Sequence, residues 1–382
     1  MIKRLKYTIV GTFTALLIGL GCQTLFAQPA AGQSQVQAPK QTGFRADKVI
    51  MEHISDSHEW HFFTWNGHPV SIPLPVILYV PKQGLSAFSE AAFKEGEVSH
   101  EGFQMLTDDY IDAQHLDKQK YFPGKIIAVH ADGTPNLDKP VYDISLTKNV
   151  IQMFVSAILL VLIFVGMANK YVKNPGKAPS GFQNAVEPFV LFIRDDVAKP
   201  YLGKKTDKYI AYLLTVFFFI WINSLLGLIP GSANVPGNIA FTLVLAAITF
   251  FFILTSTNKH YWGHIFWPPG VPLFVKFILI PVEILGIFTK PFALMIRLFA
   301  NMLAGHLIII SIISLIFIFG GLVAAAGYGF SLVSVGFTVF MYMVELLVGL
   351  IQAFIFTNLS ALFISQAFEG GHHEHEPEEI LV

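Results

Sequence analysis

The chain has 382 residues, of which 53% are hydrophobic and only 13% charged. A soluble domain usually carries about 25% charged residues, so this composition suits a lipid environment. A formal net charge of −1 gives no bulk basic surface for nucleic acid, and the single cysteine, Cys22, excludes an intrachain disulfide framework.

Residues 1–27 have the layout of a secretory signal peptide. Lys3, Arg4 and Lys6 precede an apolar run from Tyr7 to Gly21, and Ala27 ends a small-residue exit. A permanent membrane anchor and a lipoprotein signal at Cys22 are the alternatives. Residues 28–45 are small, polar and unpatterned, which reads as a flexible linker.

Residues 46–147 hold most of the acidic side chains and several short strand-like runs. Asn66-Gly67 and Asp132-Gly133 are turn dipeptides set between such runs, so a small β-rich extracytoplasmic domain is expected. His53, His58, His61 and His68 lie close together there. Imidazoles can bind zinc, but no cysteine accompanies them and the spacing fits no standard site, so surface histidines are expected.

The membrane region is expected over residues 148–368. An apolar run from Val150 to Ala168 is long enough to span a hydrocarbon core of about 30 Å. The stretch 169–208 is rich in Lys and Arg, which places it in the cytoplasm. Within it, Phe182, Val186, Phe189, Val190, Ile193 and Val197 recur at helical spacing, predicting an amphipathic helix on the membrane surface. The runs Tyr209–Ile229 and Ile239–Leu254 flank a Pro-Gly turn and predict a transmembrane hairpin. Two apolar stretches follow, from about Pro272 to Phe319 and from Leu322 to Phe368, each of more than 45 residues. At about 1.5 Å per residue, a helix of that length reaches roughly 70 Å, so two long, strongly tilted helices are expected. Glycines at 320, 321, 327 and 329 mark the turn between them. The tail 369–382 is His- and Glu-rich and is expected in the cytoplasm. A metal at His372, His373 and His375 would need an ordered tail, so a solvated one is favoured. The expected architecture is an all-α membrane protein of five transmembrane helices, one surface helix and a small β-rich N-terminal domain.

Charges inside apolar runs are costly, about 3 kcal/mol or more at the bilayer centre, so they face a polar path or a partner. Glu283, Lys290 and Arg297 are spaced by seven and form one stripe, which Asn301 extends. His306 falls on the opposite face. A guanidinium does not give up its proton, but it can pair with a carboxylate and hold it ionised. No carboxylate of this chain lies near Arg297 on its stripe, so a partner from elsewhere is implied; pairing with backbone carbonyls or lipid headgroups is the structural alternative. Glu345 and Gln352 share a face of the last helix. His306 and Glu345 both titrate, which suits a proton relay; interhelical hydrogen bonds are the plainer reading of each.

The segment KPFALMIRLFANMLAGHLI resembles the signature helix of subunit a of F-type ATP synthases. The match centres on Arg297-Leu298-Phe299, Asn301-Met302 and Ala304-Gly305. LLVGLIQAFIFTNLSALFIS, with Gln352-Ala353-Phe354, resembles that family's last helix, and NSLLGLIPGSANVPGNIAFTLVLA its preceding hairpin. The resemblance covers roughly residues 148–368. It implies a non-catalytic, proton-conducting stator subunit in a bacterial inner membrane, with a periplasmic N-terminal domain and a cytoplasmic C-terminus. Its partners would be a ring of c subunits, the b-subunit peripheral stalk and, indirectly, the catalytic head, with no cofactor or metal. Arg297 would match the family's essential arginine. Asn301 and Gln352 would match polar neighbours of it, and Glu283, His306 and Glu345 positions lining proton paths. In some members the acidic and imidazole residues at the last two positions are exchanged. Asn234 stands where some members carry an acid, so the external mouth of the path is lined differently. The resemblance assigns no role to residues 46–147. A stand-alone ion channel or secondary transporter would use the same charges, but no internal repeat is evident.

Overall fold

The computed structural model describes residues 46–368, apart from 66–67, 82, 95, 131, 179, 230, 269 and 271. The expected signal peptide, linker, Asn66-Gly67 turn and His/Glu-rich tail lie outside the described residues.

The N-terminal region opens with helix α1 (Ala46–Ile54), an element the strand-like reading of this region did not anticipate. Among the described residues, seven short strands follow: β1 (Glu59–Trp65), β2 (His68–Pro73), β3 (Pro75–Val80), β4 (Gly84–Ser89), β5 (Phe103–Met105), β6 (Ile126–Ala128) and β7 (Tyr142–Asp143). They form three small antiparallel sheets, β1–β2, β4–β3–β7 and β5–β6. Helix α2 (Asp108–Ala113) is capped by Thr107, whose hydroxyl accepts from the Tyr110 amide at 3.2 Å. Val76, Leu78 and Val80 alternate inward from β3 and pack with Phe93, Phe103 and Ile126. A second cluster gathers Leu106, Ile111, Tyr121, Ile127 and Val129. Period-two alternation along β3 builds the half-buried β4–β3–β7 sheet.

His58 corrects the expectation of surface histidines. It is buried, and its Nε2 lies 2.7 Å from Asp143 Oδ2. Burial alone would depress the imidazole pKa, but the hydrogen bond and charge of Asp143, with Asp56 and Glu90, outweigh it and raise it. Burial works against the Asp143 carboxylate too, but His58 and the Ser145 hydroxyl and amide hold it below its ordinary value. The pair therefore stabilises the fold most between about pH 4 and 6.5, where both partners are charged in the folded chain. The histidine's share is lost as pH rises through its raised folded value, and the aspartate's as pH falls through its depressed one. Opening of β1 and β7, followed by amide exchange corrected for intrinsic rate, should rise roughly tenfold from pH 5.5 to 8.5, the effect of weakening one charged hydrogen bond. In Asp143→Asn most of that pH dependence should be lost, Asp56 and Glu90 being the remaining acids beside His58; an unchanged slope would show the pair is not its source.

The chain then becomes helical: α3 (Lys148–Lys173), α4 (Phe182–Phe192), α5 (Thr206–Gly227), α6 (Ile239–Ser256), α7 (Lys259–Phe266), α8 (Leu273–Leu322) and α9 (Ala324–Phe368). A wider π-helical stretch, Ile193–Ala198, and a short turn, Lys199–Leu202, carry α4 toward α5. Among the described residues, five helical segments are long and apolar enough to cross a membrane: Lys148–Lys173, Phe182–Gly227, Ile239–Ser256, Leu273–Leu322 and Ala325–Phe368.

Helix α5 is the hub of this region. Tyr212, Leu213, Phe217, Phe219 and Ile220 are fully buried in the main apolar cluster, with α3, α6 and α9 packed around them. Lipid tails are as apolar as leucine, so helices in a bilayer gain specificity from close packing and interhelical hydrogen bonds. Both occur here. Asn223 donates to Ser156 Oγ on α3 at 2.9 Å, Tyr212 and Thr249 of α6 share a hydrogen bond of 2.6 Å, and Tyr209 donates to Ser256 at 2.8 Å. Gly349 of α9 lets Ser224 approach: a Cβ there would lie 2.9 Å from Ser224 Cβ.

Helices α8 and α9 cross as an antiparallel pair joined at Val323. A Cβ on Gly327 would fall 2.7 Å from the Gly320 Cα, so these glycines let the two backbones touch at the bend. Phe319 and Phe330 stack across it at 3.9 Å. The other faces of the pair stay open: Phe274, Phe277, Leu285, Phe288 and Phe292 on α8, and Leu332, Val339, Phe340, Met343 and Leu347 on α9, are exposed.

Candidate functional site

Helix α8 carries Glu283, Lys290, Arg297 and Asn301 in the order and on the stripe that seven-residue spacing dictates. Glu283, Arg297 and Asn301 are exposed, while Lys290 is half-buried and donates to Gln366 Oε1 of α9 at 2.8 Å. Among the described residues, no hydrogen bond or ion pair engages the Arg297 guanidinium. It sits in the long open face of α8, beside the exposed Ile296.

His306 and Glu345 are brought together. His306 Nδ1 lies 4.0 Å from Glu345 Oε1, and both side chains are largely shielded. Gly305 makes room for the acid: a Cβ there would lie 3.4 Å from the Glu345 carboxyl. Gln352 is also buried, two turns along α9 from Glu345. Glu345 Oε2 is buried without a hydrogen-bond partner among the described residues, and so is Thr338 Oγ1, two turns away on the same helix. Buried polar groups are normally satisfied by protein or water, so two such atoms on one helix mark a polar seam in an apolar pair. Ser314 of α8 and Ser334 of α9 are buried as well.

Sequence reasoning passed over Ser314, Ser334 and Thr338. The available signal was spacing, because Ser334, Thr338, Glu345 and Gln352 follow at intervals of four, seven and seven, one face of a helix.

Asn234 stands in the turn between α5 and α6 and is tied to α8. Its Nδ2 donates to the Met302 carbonyl at 3.0 Å, and its Oδ1 accepts from the Gly237 amide at 3.1 Å. The turn is clamped from α3 by Gln152, whose amide donates to the Ala233 carbonyl at 2.6 Å and accepts from the Ala233 N–H at 2.7 Å. The seven residues singled out from sequence therefore divide into a stripe on the open face of α8, a buried acid–imidazole pair with Gln352 beyond it, and a turn that reaches the Met302 carbonyl. Chemically, the set offers one fixed cation, Arg297, and three groups able to pass protons, Glu283, His306 and Glu345.

Among the described residues, no group of three or more His, Cys, Asp or Glu side chains is placed to hold a metal ion.

A family profile described as ATP synthase A chain matches residues 150–365. A second profile, described as a domain of unknown function (DUF8433), matches residues 49–148. A protein named ATP synthase subunit a from Chlorobium phaeobacteroides (strain BS1) is 45% identical over 243 residues, covering 62% of this chain and 69% of its own. A relative named ATP synthase subunit a 2 from Chlorobium luteolum (strain DSM 273 / BCRC 81028 / 2530) is 48% identical over 241 residues, 61% of this chain and 68% of its own. The ATP synthase subunit a of Myxococcus xanthus (strain DK1622) is 39% identical over 261 residues, 65% of this chain and 80% of its own.

Proposed function

The chain belongs to the ATP synthase A chain family, and on that premise we propose that it is the proton-conducting stator subunit of an F-type ATP synthase in a bacterial inner membrane. It is a multi-pass membrane protein of the ATP synthase membrane sector. In the proposed arrangement residues 148–368 form the membrane domain, with α8 and α9 strongly tilted. Residues 46–147 are periplasmic, and α4 lies along the cytoplasmic membrane surface. The partners are a ring of c subunits, each with a membrane-buried carboxylate, and the b-subunit stalk that holds the stator to the catalytic head.

The observation that carries this reading is Arg297. It is a permanent cation on an open apolar face, with no carboxylate of the described chain beside it. A charge so placed calls for an acid from another subunit. Protons enter from the periplasm past Asn234, pass the His306–Glu345 pair and neutralise a ring carboxylate, which then faces lipid. After nearly a full rotation the carboxylate meets the cytoplasmic path near Glu283 and loses its proton. Arg297 favours the ionised acid there and blocks direct leakage between the two paths, with Asn301 and Gln352 as polar neighbours. Each unit charge crossing 100 mV releases about 2.3 kcal/mol, and several crossings per turn drive ATP formation in the head. The chain has no G-x-x-x-x-G-K phosphate loop, in keeping with a non-catalytic subunit.

Isolation of the native complex through a tag on this chain, with peptide identification, tests the reading. Subunit c, subunit b and the nucleotide-binding subunits should co-purify in fixed ratio. Recovery of this chain as a self-contained oligomer would favour a stand-alone channel or transporter.

A further inference from the structure

The N-terminal domain has no place in the proton path described so far, yet it is fastened to it. The segment before β1 reaches the start of α3. Asp56 accepts from Thr147 Oγ1 at 2.8 Å and from the Asn149 amide at 3.3 Å, and the Lys148 amide donates to the Ser57 carbonyl at 3.0 Å. Thr147, the N-cap residue of α3, makes no side-chain capping bond itself, so the domain supplies acceptors for the orphan N–H groups of that helix end. Helix α1 packs against α8.

The third attachment falls on the turn that carries Asn234. Trp60 of β1 donates its indole N–H to the Gly231 carbonyl at 2.8 Å. The β1 backbone lies directly on this turn: a Cβ at Gly231 would sit 3.1 Å from Phe62 Cα and 3.2 Å from Phe62 O. Gly231 also has φ +82, a left-handed conformation that favours glycine. Three residues on, Asn234 holds the Met302 carbonyl. In an α-helix that carbonyl is the acceptor for the amide of residue 306, so the Asn234 bond lands on the turn of α8 that presents His306. From α9, Glu345 faces His306 at 4.0 Å.

We infer that the domain is a positioning device for proton intake: Trp60 and Gly231 latch β1 onto the 231–238 turn and so hold Asn234 against the helix turn beneath His306. Trp60, Gly231 and Asn234 are positioning residues in this scheme, acting on the proton path through His306 and Glu345. The inference rests on the stator reading of Arg297, His306 and Glu345.

Two variants of the whole complex, reconstituted in liposomes, test it. Trp60→Phe keeps an aromatic ring to stack on Phe62 but removes the N–H. Gly231→Ala strains the backbone and drives a methyl into Phe62. Amide exchange over 232–240 in intact Trp60→Phe complex should rise about threefold to tenfold, the equilibrium effect of one neutral hydrogen bond. The external pH giving half-maximal ATP synthesis should move to more acidic values, while the rate at saturating external acid stays within about twofold. Gly231→Ala should move both readouts further in the same direction. Faster exchange with an unmoved pH profile would overturn the positioning role and leave a scaffold. Unchanged exchange would overturn the latch, and failure of Trp60→Phe to assemble would replace it with a role in folding. An Arg297→Ala control in the same preparation keeps the two proposals separate: coupled synthesis persisting there refutes the stator reading whatever the latch variants do.

Discussion

Replacing Arg297 with alanine should abolish ATP-driven proton pumping and reduce ATP synthesis by a hundredfold or more. Holding a charge at bilayer depth costs about 3 kcal/mol or more, and the guanidinium's hold on an opposing carboxylate must be of at least that order, roughly a hundredfold in ionisation equilibrium. Without the guanidinium, a passing acid keeps its proton through the interface and proton movement no longer depends on rotation. Arg297→Lys should fail nearly as badly, because a compact ammonium lacks the planar fork that engages a carboxylate. The exposed setting of Arg297 makes a folding defect a poor explanation, since no hydrogen bond or ion pair among the described residues is lost. Proton pumping in inverted vesicles, normalised to assembled complex, is the measurement. Retained coupled pumping in Arg297→Ala would refute the role.

Glu345→Gln should lower coupled synthesis by about a hundredfold, the low end of what a positioned proton-transfer group contributes. The substitution keeps the size of a buried side chain, and Gly305 leaves space for the amide as it does for the acid, so assembly should persist. His306 lies 4.0 Å away, and in the proposed path the pair needs one carboxyl and one imidazole in either order. The double exchange His306→Glu with Glu345→His should therefore recover a substantial part of the activity that either single exchange loses. Synthesis driven by an imposed pH difference, in liposomes holding equal amounts of assembled complex, separates the cases. Wild-type rates in Glu345→Gln, or a double exchange no better than the worse single variant, would remove this pair from the path.

The membrane half of the molecule was largely legible because a bilayer imposes long apolar runs. The predicted runs 150–168, 209–229 and 239–254 fall within or against α3, α5 and α6, and the two long stretches are α8 and α9. The glycines at 320 and 327 are a turn signal in the sequence, but their back-to-back contact is a tertiary fact that no local pattern contains. The stripe on α8 followed from helical periodicity alone. The approach of His306 to Glu345 did not, since it depends on the register of two helices across 39 residues of sequence. Three features stayed hidden for the same reason. His58 is buried because Asp143, 85 residues on, receives it. The Asn234 turn is held by Gln152 and Trp60, each from a different part of the chain. Helix α1 has only nine residues and little local signal, and its packing against α8 supplies what propensity does not.

Site-specific photo-cross-linking in the membrane tests the central claim most directly, because it asks what lies opposite the Arg297 face. A photoreactive side chain at Ile296, exposed beside Arg297 on α8, should capture a subunit c helix bearing a membrane-buried carboxylate. Capture should persist when that carboxylate is changed to its amide, because Ile296 reports proximity and not charge. Products consisting only of lipid adducts, or of links within this chain, would contradict the account.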